Sequence, residues 1–146
     1  MNPLLGVDLG KARIGLAISD ELRMLAHPLE TIPADKGAIA RIASIVRDRK
    51  IEVIVAGVPK TMGGLMGTAA NEAMEFVKKL QAAVSCKVIT WDERLTTVAA
   101  NRALRDAGKK MKDTRSYVDQ VAAQLILQGY LDQQQMALDE NDDPAH

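Results

Sequence analysis

Leu4-Leu5-Gly6-Val7-Asp8-Leu9-Gly10 decides the fold, because it is a short apolar run with a carboxylate inside it. The run is too short for a helix and rich enough in branched side chains for a strand. After Gly10-Lys11-Ala12, a second run, Arg13-Ile14-Gly15-Leu16-Ala17-Ile18-Ser19, reads as its hairpin partner. Alternation along the first run puts Asp8 on the face of Leu4 and Gly6. An ionised carboxylate on a buried face costs several kcal/mol unless it is paired or bound to a metal. A hydrogen-bonded aspartate at a strand end is the plainer reading. Gly6 and Gly10 at i−2 and i+2 leave room for something to approach.

Working outward, Met24 to Ile32 reads as an extended edge segment, since Pro28 and Pro33 exclude a helix there. Ile39, Ile42, Ala43 and Val46 then follow a helical period, predicting a helix from about Asp35 to Arg49. Ile51 to Val58 is nearly all apolar and β-branched, the pattern of a strand covered on both faces. Pro59 to Gly67 is glycine-rich and reads as a loop. A helix from Thr68 to Val84, a strand from Lys87 to Trp91, and two helices near 96–107 and 116–133 complete the series. The order β-β-β-α-β-α-β-α-α implies one α/β domain: a mixed five-stranded sheet, antiparallel at its start and parallel after, flanked by helices. We assign residues 1–133 to that domain and expect 134–146 to be an acidic, disordered tail.

Two further carboxylates stand out. Asp92-Glu93-Arg94 follows directly on the strand ending at Trp91. Ligand sites of open α/β sheets gather at the carboxyl ends of strands, and helix capping accounts for one acid there but does not require two. Asp119 falls near the start of the last predicted helix, where Ser116-x-x-Asp119 also fits a capping box. Ala122 and Ala123 on its face let that helix lie close to the sheet and aim the carboxylate inward. Three acids brought together persist only with a shared proton or a divalent cation. The shortage of His and Cys makes such a site all-oxygen, which suits Mg²⁺ or Mn²⁺. His27 reads as a strand or loop residue, and the single Cys86 as a packing residue of a reducing compartment.

Gly6-Val7-Asp8-Leu9-Gly10, Arg13-Ile14-Gly15-Leu16-Ala17, Gly57-Val58-Pro59, Asp92-Glu93-Arg94-Leu95-Thr96-Thr97 and Asp119-Gln120-Val121-Ala122-Ala123 together resemble the YqgF family. Members of that family are described as bacterial Holliday junction resolvases and as pre-16S rRNA nucleases. The resemblance implies a ribonuclease H-like fold over residues 4 to 131. It also implies that Asp8, Glu93 and Asp119 are the catalytic, metal-binding acids. The implied activity is metal-dependent phosphodiester hydrolysis, at the 5′ end of pre-16S rRNA in a ribosomal precursor particle or, alternatively, at four-way DNA junctions. A monomer suits the first and a homodimer the second. Two loops depart from the family pattern: Gly10-Lys11-Ala12-Arg13 in the first turn, and Lys60-Thr61-Met62-Gly63-Gly64, which lacks an acid before its glycine. Two rivals are a catalytically silent nucleic-acid-binding relative and a phosphate-binding module. The latter follows from Asp-Leu-Gly after a strand, seen in actin-like kinases, but those need two such domains.

Charge refines the partner. The 19 basic and 19 acidic residues of the 146 sum to zero. Four of the acids lie at 139–143, so 15 acids face 19 basic residues elsewhere. Between Arg102 and Arg115, six basic residues face two acids. We expect Lys11, Arg13, Arg94, Lys109, Lys110 and Lys112 to contact the phosphates of bound nucleic acid. The chain has no basic leader and no apolar run near the ~18 residues of a membrane span, so a cytoplasmic protein without a membrane partner is expected.

Overall fold

The computed structural model describes residues 1–59, 67–95 and 112–141, with side chains of the last stretch described from 118 to 139. Its strands are β1 (Leu4–Leu9), β2 (Arg13–Ser19), β3 (Ala26–Pro33), β4 (Val53–Val58) and β5 (Lys87–Asp92). Its helices are α1 (Ala38–Arg49), α2 (Thr68–Ala83) and α3 (Lys112–Asn141), with a 3-10 turn at Glu93–Leu95. One sheet holds all five strands in the order β3-β2-β1-β4-β5. The pairs β1–β2 and β2–β3 are antiparallel, and β1–β4 and β4–β5 are parallel. β1 therefore lies in the middle, hydrogen-bonded on both sides.

Strand alternation sorts the core into two layers. Leu5 and Val7 of β1, Ile14 and Leu16 of β2 and Ile54 and Ala56 of β4 pack with Ile42, Val46, Val77 and Leu80 of α1 and α2. Leu4, Ala17, Val55 and Trp91 point the other way and pack with Ala122, Ala123, Ile126, Leu127 and Leu131 of α3. Residues 119, 122, 123, 126, 127 and 131 make one helical stripe, and all six are buried. Three of these contacts replace a side chain by bare backbone. A Cβ on Gly6 would stand 2.7 Å from Leu127 Cβ, one on Gly15 2.0 Å from the Asp119 carbonyl, and one on Gly57 2.4 Å from Ile126 Cδ1. Glycine at these positions lets α3 lie against the backbone of three adjacent strands. Two glutamines then fix the helix lengthwise. Gln124 Nε2 donates to the Ala26 carbonyl at 2.9 Å, and Gln128 accepts from the Ala26 amide at 2.8 Å and donates to the Met24 carbonyl at 3.0 Å.

The element boundaries move for identifiable reasons. α1 begins at Ala38, not Asp35, because Asp35 Oδ1 accepts from the Gly37 amide at 2.9 Å and turns the chain first. β4 begins at Val53 because the Ile51 amide still bonds the Val46 carbonyl, beyond the left-handed Lys50 that ends α1. β3 begins at Ala26 because Asp20 Oδ1 takes the Met24 amide into the hairpin loop. The helix expected near 96–107 lies outside the described residues.

The largest difference is α3, expected over 116–133 with a disordered tail from 134. It starts at Lys112 and runs through Asn141, so residues 134–141 are helical. Gln, Met, Ala and Leu are good helix formers. The Gln135–Asp139 side-chain bond at 3.1 Å spans one turn of the exposed stretch. No apolar stripe marks it because residues 132–139 touch no core. The early start also removes the capping-box reading, since Ser116 is inside the helix rather than at its cap.

Candidate active site

The three acids singled out from sequence are buried, at 0% exposure for Asp8, 6% for Glu93 and 1% for Asp119. Each arrives on a different element. Asp8 is the fifth residue of β1 and faces α3, as alternation requires. Its register partners are Gly15 on β2 and Gly57 on β4. Neighbouring strands are about 4.8 Å apart, so Asp8 stands between two positions with no side chain on its own face. Over one of them lies the Asp119 backbone, 2.0 Å from where a Gly15 Cβ would be. Over the other lies Glu93, whose Oε1 is 3.2 Å from where a Gly57 Cβ would be. The row Gly15-Asp8-Gly57 thus forms a floor on which the other two acids rest. Sequence reading pointed to Gly6 and Gly10 beside Asp8 and missed Gly15 and Gly57. The available signal was an isolated glycine within each strand pattern, which often marks close approach by another backbone.

The Asp92-Glu93 pair divides its work. Asp92 Oδ1 accepts from the Arg94 amide at 3.0 Å, which caps the 3-10 turn, and its carboxylate pairs with the Arg94 guanidinium at 2.6 Å. That pairing raises the Arg94 pKa still further, through hydrogen bonding first and charge second. With Asp92 serving the turn, Glu93 is left to point into the sheet.

The expected phosphate contacts separate on inspection. Arg13 is already engaged within the chain: its Nε donates to Asp119 Oδ2 at 2.8 Å, and its side chain is 35% exposed. Arg94 is exposed and paired with Asp92. Lys11 lies at the β1–β2 turn and lines a cavity of about 510 Å³ with Phe76 and Glu72 of α2. Lys109 and Lys110, the Lys60–Gly64 loop and the side chain of Lys112 lie outside the described residues. His27 is an exposed strand residue, and Cys86 packs against the α1–α2 core, where burial pushes its thiol pKa up.

The chemistry of Asp8, Glu93 and Asp119 fits a hard divalent cation, since all the donors are carboxylate oxygens. The glycines on both flanks of Asp8 add no side chain of their own beside it, so the Asp119 backbone lies over Gly15 while Ile126 and Glu93 come over Gly57. Among the described residues, no three His, Cys, Asp or Glu side chains are already grouped as an ion-holding cluster. Asp119 Oδ2 is meanwhile engaged by Arg13. No helix among the described residues is long and apolar enough to cross a membrane.

A central strand carrying an aspartate, flanked by an antiparallel and a parallel neighbour in the order 3-2-1-4-5, defines a ribonuclease H-like domain. Solved structures agree at the level of fold. Thermus thermophilus RuvC, solved with a Holliday junction substrate, superposes with a TM-score of 0.58 at 15% identity, covering 92% of this chain and 96% of that one. A second structure of T. thermophilus RuvC gives a TM-score of 0.57 at 13% identity, with the same coverage. The chain belongs to the RuvX family, described as Holliday junction resolvase, whose sequence model matches residues 2–133. This is the family the YqgF motifs resemble. A relative from Chloroflexus aggregans named "Putative pre-16S rRNA nuclease" is 47% identical over 131 residues, covering 88% of this chain and 92% of its own. One of the same name from Acetivibrio thermocellus is 44% identical over 133 residues, covering 88% of this chain and 94% of its own.

Proposed function

We propose that this chain is a divalent-cation-dependent endonuclease that trims the 5′ end of pre-16S rRNA in a cytoplasmic ribosomal precursor particle. The observation that carries the proposal is the burial of Asp8, Glu93 and Asp119 at one end of the sheet. The names of its relatives support the substrate class. Asp8, Glu93 and Asp119 are the residues that would hold Mg²⁺ or Mn²⁺. Such a cation supplies Lewis acidity to the phosphate and lowers the pKa of the attacking water. The chain's own part is positional. β1 fixes Asp8 between two hydrogen-bonded neighbours, and the Asp92-capped turn fixes Glu93. The glycine floor sets how close α3 brings Asp119. Arg94, beside Asp92, and Lys11, in the β1–β2 turn, would contribute contacts to backbone phosphates.

The same site would serve a second reading, resolution of four-way DNA junctions, supported by the family's description and by the likeness to RuvC. Resolution needs two sites related by a two-fold axis, whereas end trimming needs one. The deciding experiment incubates wild-type protein and Asp8→Asn with Mg²⁺ and either a precursor 5′-end RNA or a four-way junction. Sedimentation on each substrate gives the oligomeric state. Cleavage of the RNA by a monomer, lost in Asp8→Asn, is the expected result. Undiminished cleavage by the variant would remove Asp8 from the mechanism, and junction cutting by a dimer would favour the second reading.

A further inference from the structure

Arg13 and Asp119 are 106 residues apart in sequence and meet at 2.8 Å across the face of the sheet. The contact is built in. Arg13 is the first residue of β2 and shares a face with Gly15 two positions on. Gly15 admits the Asp119 backbone, so the same strand that seats the helix also presents the guanidinium to its carboxylate. Asp119 is 1% exposed and the Arg13 side chain 35% exposed. The carboxylate is therefore the fixed partner and the arginine the one with a way out to solvent.

We propose that Arg13 is an internal counter-ion of Asp119 that exchanges with the divalent cation. Without the cation, Arg13 neutralises and orients Asp119. A cation held by the Asp119 carboxylate would weaken this pair and let the guanidinium turn toward solvent, where it could meet a phosphate backbone. The inference rests on the proposed function insofar as it takes Asp119 to be a cation ligand. Its particular content is competition: a positive group now on the carboxylate must weaken cation binding, and by linkage the cation must weaken the Arg13–Asp119 contact by the same factor. This differs from a purely orienting arginine, whose removal would loosen the site and weaken the cation. It differs also from an arginine that only binds phosphate, whose removal would leave cation affinity unchanged.

The test is calorimetric titration of Mn²⁺ into wild-type protein, Arg13→Gln and Asp8→Asn, with the Arg13 Nε–H followed by ¹⁵N NMR during Mg²⁺ titration of the wild type. Arg13→Lys, which lacks that group, identifies the signal. Arg13→Gln is expected to bind Mn²⁺ about tenfold more tightly than wild type, within the usual range of site-to-site coupling. Hydrogen exchange at Arg13 Nε–H is expected to accelerate as Mg²⁺ saturates. Equal or weaker Mn²⁺ binding by Arg13→Gln overturns the exchange. Should that variant not fold, an Nε–H that keeps its shift and protection at saturating Mg²⁺ overturns it instead. Failure of wild-type protein to bind either cation, or full binding by Asp8→Asn, is a different result and refutes the carboxylate cation site itself.

Discussion

Gly15→Ala is the substitution through which this structure is most exposed to refutation. The added Cβ would fall 2.0 Å from the Asp119 carbonyl oxygen, 2.4 Å from its carbonyl carbon and 3.1 Å from the Gln120 amide nitrogen. Ordinary contact begins near 3.4 Å, so the helix must retreat by about 1.4 Å, the difference between 3.4 and 2.0. These are backbone atoms inside α3, with no side-chain rotamer to absorb the clash. Overpacking of a core costs typically about 1–3 kcal/mol, and a backbone obstacle belongs at the upper end. At this chain length about 3 kcal/mol corresponds to a fall in Tm on the order of 10 °C. The same retreat moves Asp119, and a misplacement of about 1 Å can cost on the order of 100-fold in rate. Thermal unfolding by circular dichroism and single-turnover cleavage of the preferred substrate measure the two effects. Gly37→Ala is the control, because its nearest neighbour is Asp35 Oδ1 at an ordinary 3.4 Å; it should cost under about 1 kcal/mol. A Gly15→Ala protein that melts within 2 °C of wild type, on the order expected for a neutral surface change, and cleaves at full rate would refute the close approach of α3.

Gly57→Ala should separate the two effects. Its Cβ meets Ile126 Cδ1, the end of a flexible side chain, and Glu93 Oε1. Stability should therefore fall by only about 1 kcal/mol, while cleavage falls by at least tenfold through Glu93; denaturant unfolding and cleavage rates together check this. A stop codon after Gln133 removes helical residues 134–139, all exposed, so the stability read from urea unfolding should change by less than about 0.5 kcal/mol.

The sheet was legible because each strand carries its own signal. The short Gly10-Lys11-Ala12 break announced a hairpin, and the prolines of the third segment marked an edge. The nearly all-apolar run at 51–58 marked a strand covered on both faces. Asp8 was legible for a related reason: a charge inside an apolar strand is expensive wherever the strand is buried, so it flags itself without knowledge of its neighbours. Arg13 carried no such flag. An arginine at the start of a strand looks like surface charge, and the carboxylate it serves lies more than 100 positions away. The length of α3 was hidden for the opposite reason. Hydrophobic period reports the buried face of a helix, and beyond Leu131 this helix has none. Asp119 was found through its alanines, although the capping box suggested beside it dissolved once the helix began a turn earlier.

The distribution of the acids along the chain bears on when the proposed site can assemble. Asp8 leaves the ribosome early, but Asp119 follows 111 residues later (119 − 8), and the helix that seats it extends to Asn141. Until that segment emerges, the sheet face of Leu4, Ala17, Val55 and Trp91 has lost its cover, and Arg13 has no Asp119 to pair with. Contacts of such long sequence separation form late, because loop-closure entropy is spent before they repay it. A nascent or truncated chain ending before α3 thus lacks Asp119 and leaves that apolar sheet face uncovered. Under the proposed function, a chain still being synthesised would be harmless to the ribosome that is making it.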